Sequence, residues 1–294
     1  MRIGIMGIGL MGRAFVERYL ALGYRVSIHN RNAQSIADLC QRGCECHADA
    51  RAFVEANDRI ILLAADADAI HQLLALDDPG QRLDGKVLIQ MATISPSQSR
   101  DIADSITTCG GEYLEAPVLG SLPEALNGSL IVMAGGEQSL FERLQPLLEV
   151  VGTGPRLIGD VGSASALKLA MNQLIAALTA GFSLSLAYAR ENGVDTDLFM
   201  DTVRQSALYA STYDKKLDKY LSRDFGNANF STRHLLKDIR LFSQDADQLG
   251  LDTAALDAIE RITADAVAAG LQGCDYSSIY QVIHPQRDAA DDGG

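Results

Sequence analysis

Near the start of the chain, Arg2-Ile-Gly-Ile-Met6 runs directly into Gly7-Ile8-Gly9-Leu10-Met11-Gly12, and an amphipathic stretch follows from Leu10 to Leu22. The apolar run reads as a strand, the stretch after it as a helix, and Arg25 to His29 as a second strand. Two strands joined by a helical crossover of this length lie parallel in one sheet. In that setting each glycine has its own use. Gly7 permits a tight turn, Gly9 lets the backbone approach a pyrophosphate, and Gly12 lets the helix pack closely on the strand, with phosphate charge resting on the helix N-terminus. The bare motif is weak, but strand, helix and second strand agree here, and together they predict a dinucleotide site.

Working outward, further strands are expected at Arg59 to Ala64, Lys86 to Met91, Glu112 to Ala116 and Ser129 to Ala134, with helical patterns at Ala33 to Arg42, Ala67 to Leu76 and Pro96 to Cys109. This alternation argues for a parallel sheet covered on both faces. After Gly162 the strand signals stop, and helices are expected over Ser163 to Asn192, Thr196 to Ser206, Leu235 to Leu249 and Thr253 to Ala269. The predicted fold is an α/β Rossmann-type dinucleotide-binding domain (1–161), then an all-α domain for substrate and dimerisation (162–287), then a disordered acidic tail (288–294). No internal repeat is visible.

The length of 294 residues fits two domains at about 150 each. Formal charge is 25 − 38 = −13, so nucleic acid and anionic membrane are poor partners. The five cysteines are odd in number and no secretory pattern precedes them, which reads as a reduced, cytoplasmic protein. Cys40, Cys44, Cys46 and His47 could suggest a metal cluster. A helix end, a turn at Gly43 and a short strand would instead point these side chains in different directions, and no metal is expected. The uncharged stretch Leu169 to Ala189 is long enough to cross a bilayer. It carries Asn172, Gln173, Thr179, Ser183 and Ser185, and so reads as a helix buried among protein elements, its length suggesting a homodimer or higher homo-oligomer.

The end of the second strand should select the cofactor. An adenosine ribose with free hydroxyls calls for a carboxylate there, a 2′-phosphate for a cation and polar donors. Asn30-Arg31-Asn32 contains no acid. Arg31 can contact the phosphate, so NADP(H) is expected in preference to NAD(H). If Arg31 merely stacks on adenine, both cofactors bind alike.

Candidate chemistry lies further along. Lys168 and Asn172 are one helical turn apart on one face. A lysine on a mostly apolar helix near a domain boundary needs a task or a partner, unless its stem packs while its head reaches water. Lys237-Asp238 follows Phe230 on a later helix, where an exposed ion pair in the first turn is the plainer reading.

With these pieces in place, the chain resembles the β-hydroxyacid dehydrogenases, a family that includes 3-hydroxyisobutyrate dehydrogenases, tartronate semialdehyde reductases and glyoxylate/succinic semialdehyde reductases. The likeness runs from Ile3 to about Ile283 on four motifs in order. They are Gly7 to Gly12, Glu115-Ala-Pro-Val-Leu-Gly-Ser121 with Asn127-Gly-Ser-Leu130, Gly162 to Lys168 with Asn172, and Lys237-Asp238. The resemblance implies that Lys168 is the catalytic lysine and that Asn172 helps hold the substrate. It places Gly120 and Ser121 in the loop that receives the substrate carboxylate, and Thr93 near the nicotinamide and its ribose. Phe230, Lys237 and Asp238 would close the site from the helical domain. The triplet Asn30-Arg31-Asn32 is similar to that of NADPH-preferring semialdehyde reductases.

Two departures matter. Leu119 stands where the family usually has serine, which removes a hydroxyl donor, so small polar acids should bind less well and a bulkier or greasier substrate is implied. Ala164 replaces a glycine at the start of the Lys168 helix. His234 also draws attention as an acid/base, but a polar surface residue is the plainer reading.

In the reducing direction the ammonium of Lys168 would protonate the oxygen of an aldehyde or ketone as hydride arrives, with Asn172 and Asp238 fixing lysine and substrate. An imine reductase-like enzyme is an alternative: Lys168 counts against it, Leu119 slightly for it. A decarboxylating sugar-phosphate dehydrogenase would need a longer helical region. A non-catalytic NADP-binding protein is the reading outside enzymology.

Overall fold

The computed structural model describes residues 2–286. The expected acidic tail, 288–294, lies outside the described residues, as does the last position of the expected helical domain. The chain divides into two compact units, one ending at Leu169 and one beginning at Ala170.

The first unit runs β1 (Arg2–Met6), α1 (Leu10–Ala21), β2 (Arg25–His29), a 3-10 turn at Ala33–Ile36, α2 (Ala37–Gln41), β3 (Glu45–His47), α3 (Ala50–Ala56), β4 (Arg59–Leu62), α4 (Ala67–Leu74), β5 (Val87–Gln90), α5 (Pro96–Thr108), β6 (Glu112–Glu115), β7 (Val118–Leu119), α6 (Leu122–Asn127), β8 (Ile131–Gly135), α7 (Gln138–Leu148) and β9 (Arg156–Gly159). Among the described residues these strands form one nine-stranded sheet. The run β3-β2-β1-β4-β5-β6 is parallel. Successive residues of β1 face opposite ways, so Ile3 and Ile5 pack with Phe15, Val16 and Tyr19 of α1, while Met6 joins Phe53, Ile70 and Ile102 on the other face.

The sheet is parallel-dominated, as expected, and departs from that at its far edge, where β8 is antiparallel to both β6 and β7. The chain leaves β6, continues in the same direction as β7, and is turned back by α6 and the left-handed Gly128 (φ 70°), so β8 returns alongside. Five of the described helices have no counterpart in the sequence reading. Each has a weak local pattern: α3, α6 and α13 (Tyr280–Ile283) are short, α7 contains Pro146, and α10 (Ser211–Ser222) is rich in charge.

The reading of five reduced cysteines is also corrected, because Cys40 and Cys46 form a disulfide with Cα atoms 5.8 Å apart. Gly43 adopts φ 99°, and the turn around it folds β3 back along the end of α2. The two side chains therefore meet instead of diverging, while Cys44 is buried on its own.

Helix α8 (Ser163–Glu191) continues unbroken into the second unit, which also holds α9 (Thr196–Gln205), α10, α11 (Thr232–Gln248), α12 (Ala254–Ala266), a 3-10 turn at Tyr276–Ile279 and α13 (Tyr280–Ile283). By length and composition α8 could cross a membrane, and 44% of its most apolar window is buried in protein. Its Phe182 stacks on Tyr213 at 4.3 Å and packs with Leu186, Met200, Tyr220 and Tyr280, whereas Leu174, Leu184 and Tyr188 are exposed. Asp275, wholly buried, ties α10 to the 3-10 turn by taking the Lys216 ammonium at 2.6 Å and the Ser277 hydroxyl at 2.7 Å.

Candidate active site

The glycine loop leaves β1 where the sheet order reverses, since β1 pairs with β2 on one side and β4 on the other. In an open α/β sheet, ligands bind at such a switch point, beyond the carboxyl ends of the strands. Gly7 takes φ 94°, and a Cβ there would lie 2.5 Å from the Leu63 carbonyl oxygen. A Cβ on Gly12 would run into the Gly7 carbonyl, so both positions demand glycine for lack of space. Gly9 differs: nothing lies within 4 Å of where its Cβ would be, and the residue is exposed. That open approach beside the first turn of α1 fits a pyrophosphate, with Ile8 buried beneath it and Leu10 and Met11 opening the helix.

Asn30 fastens this loop to the turn after β2. Its Oδ1 accepts from Ile8 N at 3.1 Å and its Nδ2 donates to Ser35 Oγ at 2.8 Å. Asn32 caps the 3-10 turn by accepting from Gln34 N. Arg13 on α1 clamps the same segment, reaching the Asp38 carboxylate at 2.5 Å and Ser35 O at 2.8 Å. The Arg13 hydrogen bond in turn holds the Asp38 carboxyl below the ordinary aspartate range. Both asparagines are thus spent on the turn. Arg31 is exposed and makes no hydrogen bond or ion pair among the described residues.

Thr93 lies half-buried in the loop after β5, which is fixed by the reciprocal Ser95–Gln98 cap of α5. Leu119 ends β7 opposite Ile131, and Gly120 (φ 134°) and Ser121 lead into α6. Ser121 directs both its backbone N–H and its hydroxyl at one oxygen of Glu124, at 2.9 and 2.6 Å. A shallow groove bordered by Arg59, Val87, Glu112 and Arg143 opens at the amino ends of the strands, away from the glycine loop.

The start of α8 is held from below. Glu115, wholly buried at the end of β6, accepts through Oε1 from the backbone N–H groups of Gly162, Ala164 and Ser165 at 2.8, 2.8 and 3.3 Å. Its Oε2 accepts from Ser99 Oγ at 2.5 Å and Ser165 Oγ at 2.6 Å. A carboxylate from another strand therefore caps the helix, satisfying N–H groups that would otherwise be buried without partners. Lys168, half-buried, sits in the second turn of the helix so fixed.

In the second unit Asn172, 3% exposed, donates from Nδ2 to Asp238 Oδ2 at 2.6 Å. Lys237 Nζ lies 2.9 Å from the other oxygen of Asp238. The Lys237–Asp238 pair is thus no exposed first-turn ornament: α11 begins at Thr232, which puts the pair in its second turn, and Asp238 is buried. Phe230 is half-buried before α11, against Tyr276 at 5.7 Å and His234 at 6.5 Å. Desolvation by the neighbouring protein, then the Lys237 ammonium, holds the imidazole of the exposed His234 below its ordinary value.

A family model described as the NAD binding domain of 6-phosphogluconate dehydrogenase matches residues 2–162, more than half the chain, and one described as NAD-binding of NADP-dependent 3-hydroxyisobutyrate dehydrogenase matches 162–283. The chain belongs to the β-hydroxyacid dehydrogenase family. It is 27% identical to glyoxylate/succinic semialdehyde reductase 1 of Arabidopsis thaliana, over 98% of this chain and 100% of that one. It is 28% identical to 2-hydroxy-3-oxopropionate reductase of Escherichia coli, over 96% and 97%. A crystal structure of 3-hydroxyisobutyrate dehydrogenase from Salmonella typhimurium superposes with a TM-score of 0.84 at 26% identity, covering 96% of this chain and 99% of that one.

This β-hydroxyacid dehydrogenase is therefore an NAD(P)-dependent oxidoreductase acting on CH–OH groups, and it binds a nicotinamide dinucleotide. Glu115 and Glu124 went unassigned in the sequence reading, although both stand in or beside the quoted motif. Ser121-Leu-Pro-Glu124 spells a capping box, a signal that could have found the second. Nothing local marks the first, whose partners lie across the sheet.

Proposed function

We propose that this family member is an NADPH-dependent reductase of short aldehydes or ketones of the semialdehyde type, with Lys168 as general acid, and as general base in the reverse direction. When bound, the cofactor supplies or takes up the hydride. The chain's own task is the proton. A lysine ammonium donates without accepting, so at the carbonyl oxygen it both protonates and stabilises developing negative charge.

The observation that carries this reading is the Asn172–Asp238 bond one helical turn beyond Lys168. It orients a buried carboxamide so that Oδ1 is presented as an acceptor, and that atom has no partner among the described residues. An acceptor so placed can hold a substrate hydroxyl or a lysine N–H. Thr93 is assigned to the nicotinamide end and Lys237 to the cofactor, while Leu119, Gly120, Ser121 and Phe230 are assigned to the substrate.

NADP(H) over NAD(H) is proposed on Arg31, which is exposed beside a turn whose other polar groups are internally bonded. Exposed Leu174, Leu184 and Tyr188 support a homodimer along α8. The test is cofactor consumption with NADPH and NADH over short semialdehydes, 2-oxoacids and cyclic imines. Turnover confined to imines would instead favour the imine reductase reading, and tight NADPH binding without any turnover a non-catalytic one.

A further inference from the structure

The segment from Asn30 to Gln41 carries Arg31 and forms the turn proposed to receive the cofactor's adenosine end, yet little within it is self-supporting. Its helix α2 has five residues, and the strand that follows, β3, has three and lies at the edge of the sheet. Helices that short gain little from their own backbone bonds. Asn30 fastens the segment to Ile8, and Ile36 and Leu39 are buried beneath it. The Arg13–Asp38 pair adds another hold, but its side chains are 35% and 55% exposed, where an ion pair contributes little. A further hold is covalent: Cys40, in the last turn of α2, is bonded to Cys46 on β3.

This bridge is placed for exchange more than for stability. It spans a separation of six residues, so it constrains the unfolded chain only modestly. Cys46 is exposed and Cys40 half-buried, which leaves an incoming thiolate a path on the Cys46 side. Exposed bridges are the labile, regulatory ones. Cys44, between the two in sequence, is buried in the same core cluster as Ile36 and Leu39. Desolvation pushes its thiol upward, so it stays protonated and does not compete for either partner.

We propose that the Cys40–Cys46 bridge is a thiol-exchange site that latches the cofactor turn: closed, it tightens dinucleotide binding, and opened by a dithiol reductant, it loosens it. In the opening step a reductant thiolate attacks Cys46 Sγ, the bond to Cys40 breaks, and Cys40 leaves as a thiolate that takes up a proton. The reductant's second thiolate then attacks the mixed disulfide and releases Cys46, which is protonated in turn. The reductant departs as a disulfide, and the protein has gained two electrons and two protons. With the latch open α2 detaches locally, and apparent affinity falls with the fraction of molecules whose turn is in place. The inference rests on the reading that this turn receives the adenosine end.

The test compares the oxidised protein with the same protein reduced by dithiothreitol, titrating NADPH and NADH by fluorescence and counting thiols in each state. Reduction should add two thiols and weaken NADPH binding about three- to tenfold, while kcat at saturating NADPH stays unchanged for the aldehyde turned over best. A bridge that only stiffened the fold would lower the melting temperature on reduction and leave affinity where it was. Cys46→Ser, at an exposed position, should bind NADPH as the reduced protein does, with or without dithiothreitol. Equal NADPH affinity in the two states, or a bridge that resists dithiothreitol in the folded protein, would overturn the proposal. So would an undiminished response in Cys46→Ser, which would place the effect at another cysteine. Equal affinities for NADPH and NADH in the oxidised protein would sink the Arg31 reading alone, because the redox response would still be read on both cofactors.

Discussion

Asn172 donates to Asp238 at 2.6 Å, joining α8 to α11 through two side chains that are each 3% exposed. A carboxylate only accepts, so this bond decides which way the carboxamide points. Nδ2 faces Asp238 and Oδ1 is left as a buried acceptor without a partner among the described residues. Such an atom costs about 1–3 kcal/mol unless a ligand or neighbour supplies a donor.

Asp238→Asn should therefore damage chemistry more than cofactor binding. An asparagine at this place can meet Asn172 in either orientation, so Oδ1 is no longer fixed. Turnover should fall about tenfold or more, an effect of a misplaced hydrogen-bonding group, while NADPH affinity holds. Asp238→Ala leaves the buried Asn172 Nδ2 without its acceptor and should cost about 1–3 kcal/mol of stability as well. Steady-state kinetics and denaturant melts separate the two effects. Wild-type turnover in Asp238→Asn would mean that the carboxamide orientation is irrelevant.

Lys168→Ala should lower turnover by about two to four decades, the range for losing a positioned acid/base, and leave NADPH affinity nearly intact. Fluorescence titration of NADPH beside single-turnover kinetics reads both quantities. Retained turnover would remove Lys168 from the mechanism.

Which parts of the molecule were legible in the sequence follows from the range of the interactions. The glycine loop could be read because Gly7 and Gly12 are dictated by atoms next to them in sequence or one strand away. The central strands announced themselves as near-continuous apolar runs, as burial on both faces requires. The antiparallel return of β8 depends on a reversal at Gly128 that no periodicity marks. Likewise, Cys40 meets Cys46 only because Gly43 turns the chain back on itself. The sequence singled out Lys168, Asn172 and Asp238 as candidates, but not the orientation that the Asn172–Asp238 bond imposes on the carboxamide, since it links positions far apart in sequence. Glu115 was hidden most completely: its five donors come from α5 and the start of α8, across the sheet.

Arg31→Ala should erode NADPH affinity by about one to two decades and NADH affinity far less, because a charge-assisted contact to phosphate is worth about 1.5–3 kcal/mol. The turn itself should persist, since Asn30, Asn32 and Ser35 hold it without the arginine. Equal losses for both cofactors would place recognition of the 2′-phosphate elsewhere.

The Cys40–Cys46 bridge closes a separation of six residues. Loop-closure entropy for so short a loop gives it no more than about 2–3 kcal/mol. Reduction, or Cys40→Ser with Cys46→Ser, should lower stability by that amount at most and leave the Rossmann sheet folded, with two more titratable thiols in the reduced protein than in the oxidised one. An unchanged thiol count on reduction would show that the bridge does not form in solution.

Glu115 offers the sharpest separation of charge from shape. Glu115→Ala deprives three backbone N–H groups at the start of α8 of their acceptor, and two serine hydroxyls as well. The hydroxyls can rotate to other partners, but the N–H groups cannot. The loss should be on the order of 3 kcal/mol, or about 2–4 °C in Tm for each kcal/mol in a unit of this size. Glu115→Gln keeps a carbonyl oxygen for the three N–H groups, and its amide can donate to Ser99 and Ser165 if those hydroxyls turn to accept. It should therefore lose no more than about 1.5 kcal/mol. Lys168 sits one turn beyond the anchored end, so turnover should follow the same order, with Glu115→Ala well below Glu115→Gln at a temperature where both remain folded. NADPH affinity, set by the loop after β1, should change little in either. If Glu115→Ala melted with the wild type, the start of α8 would be held by its own backbone bonds and the lysine would owe its position to something other than this carboxylate.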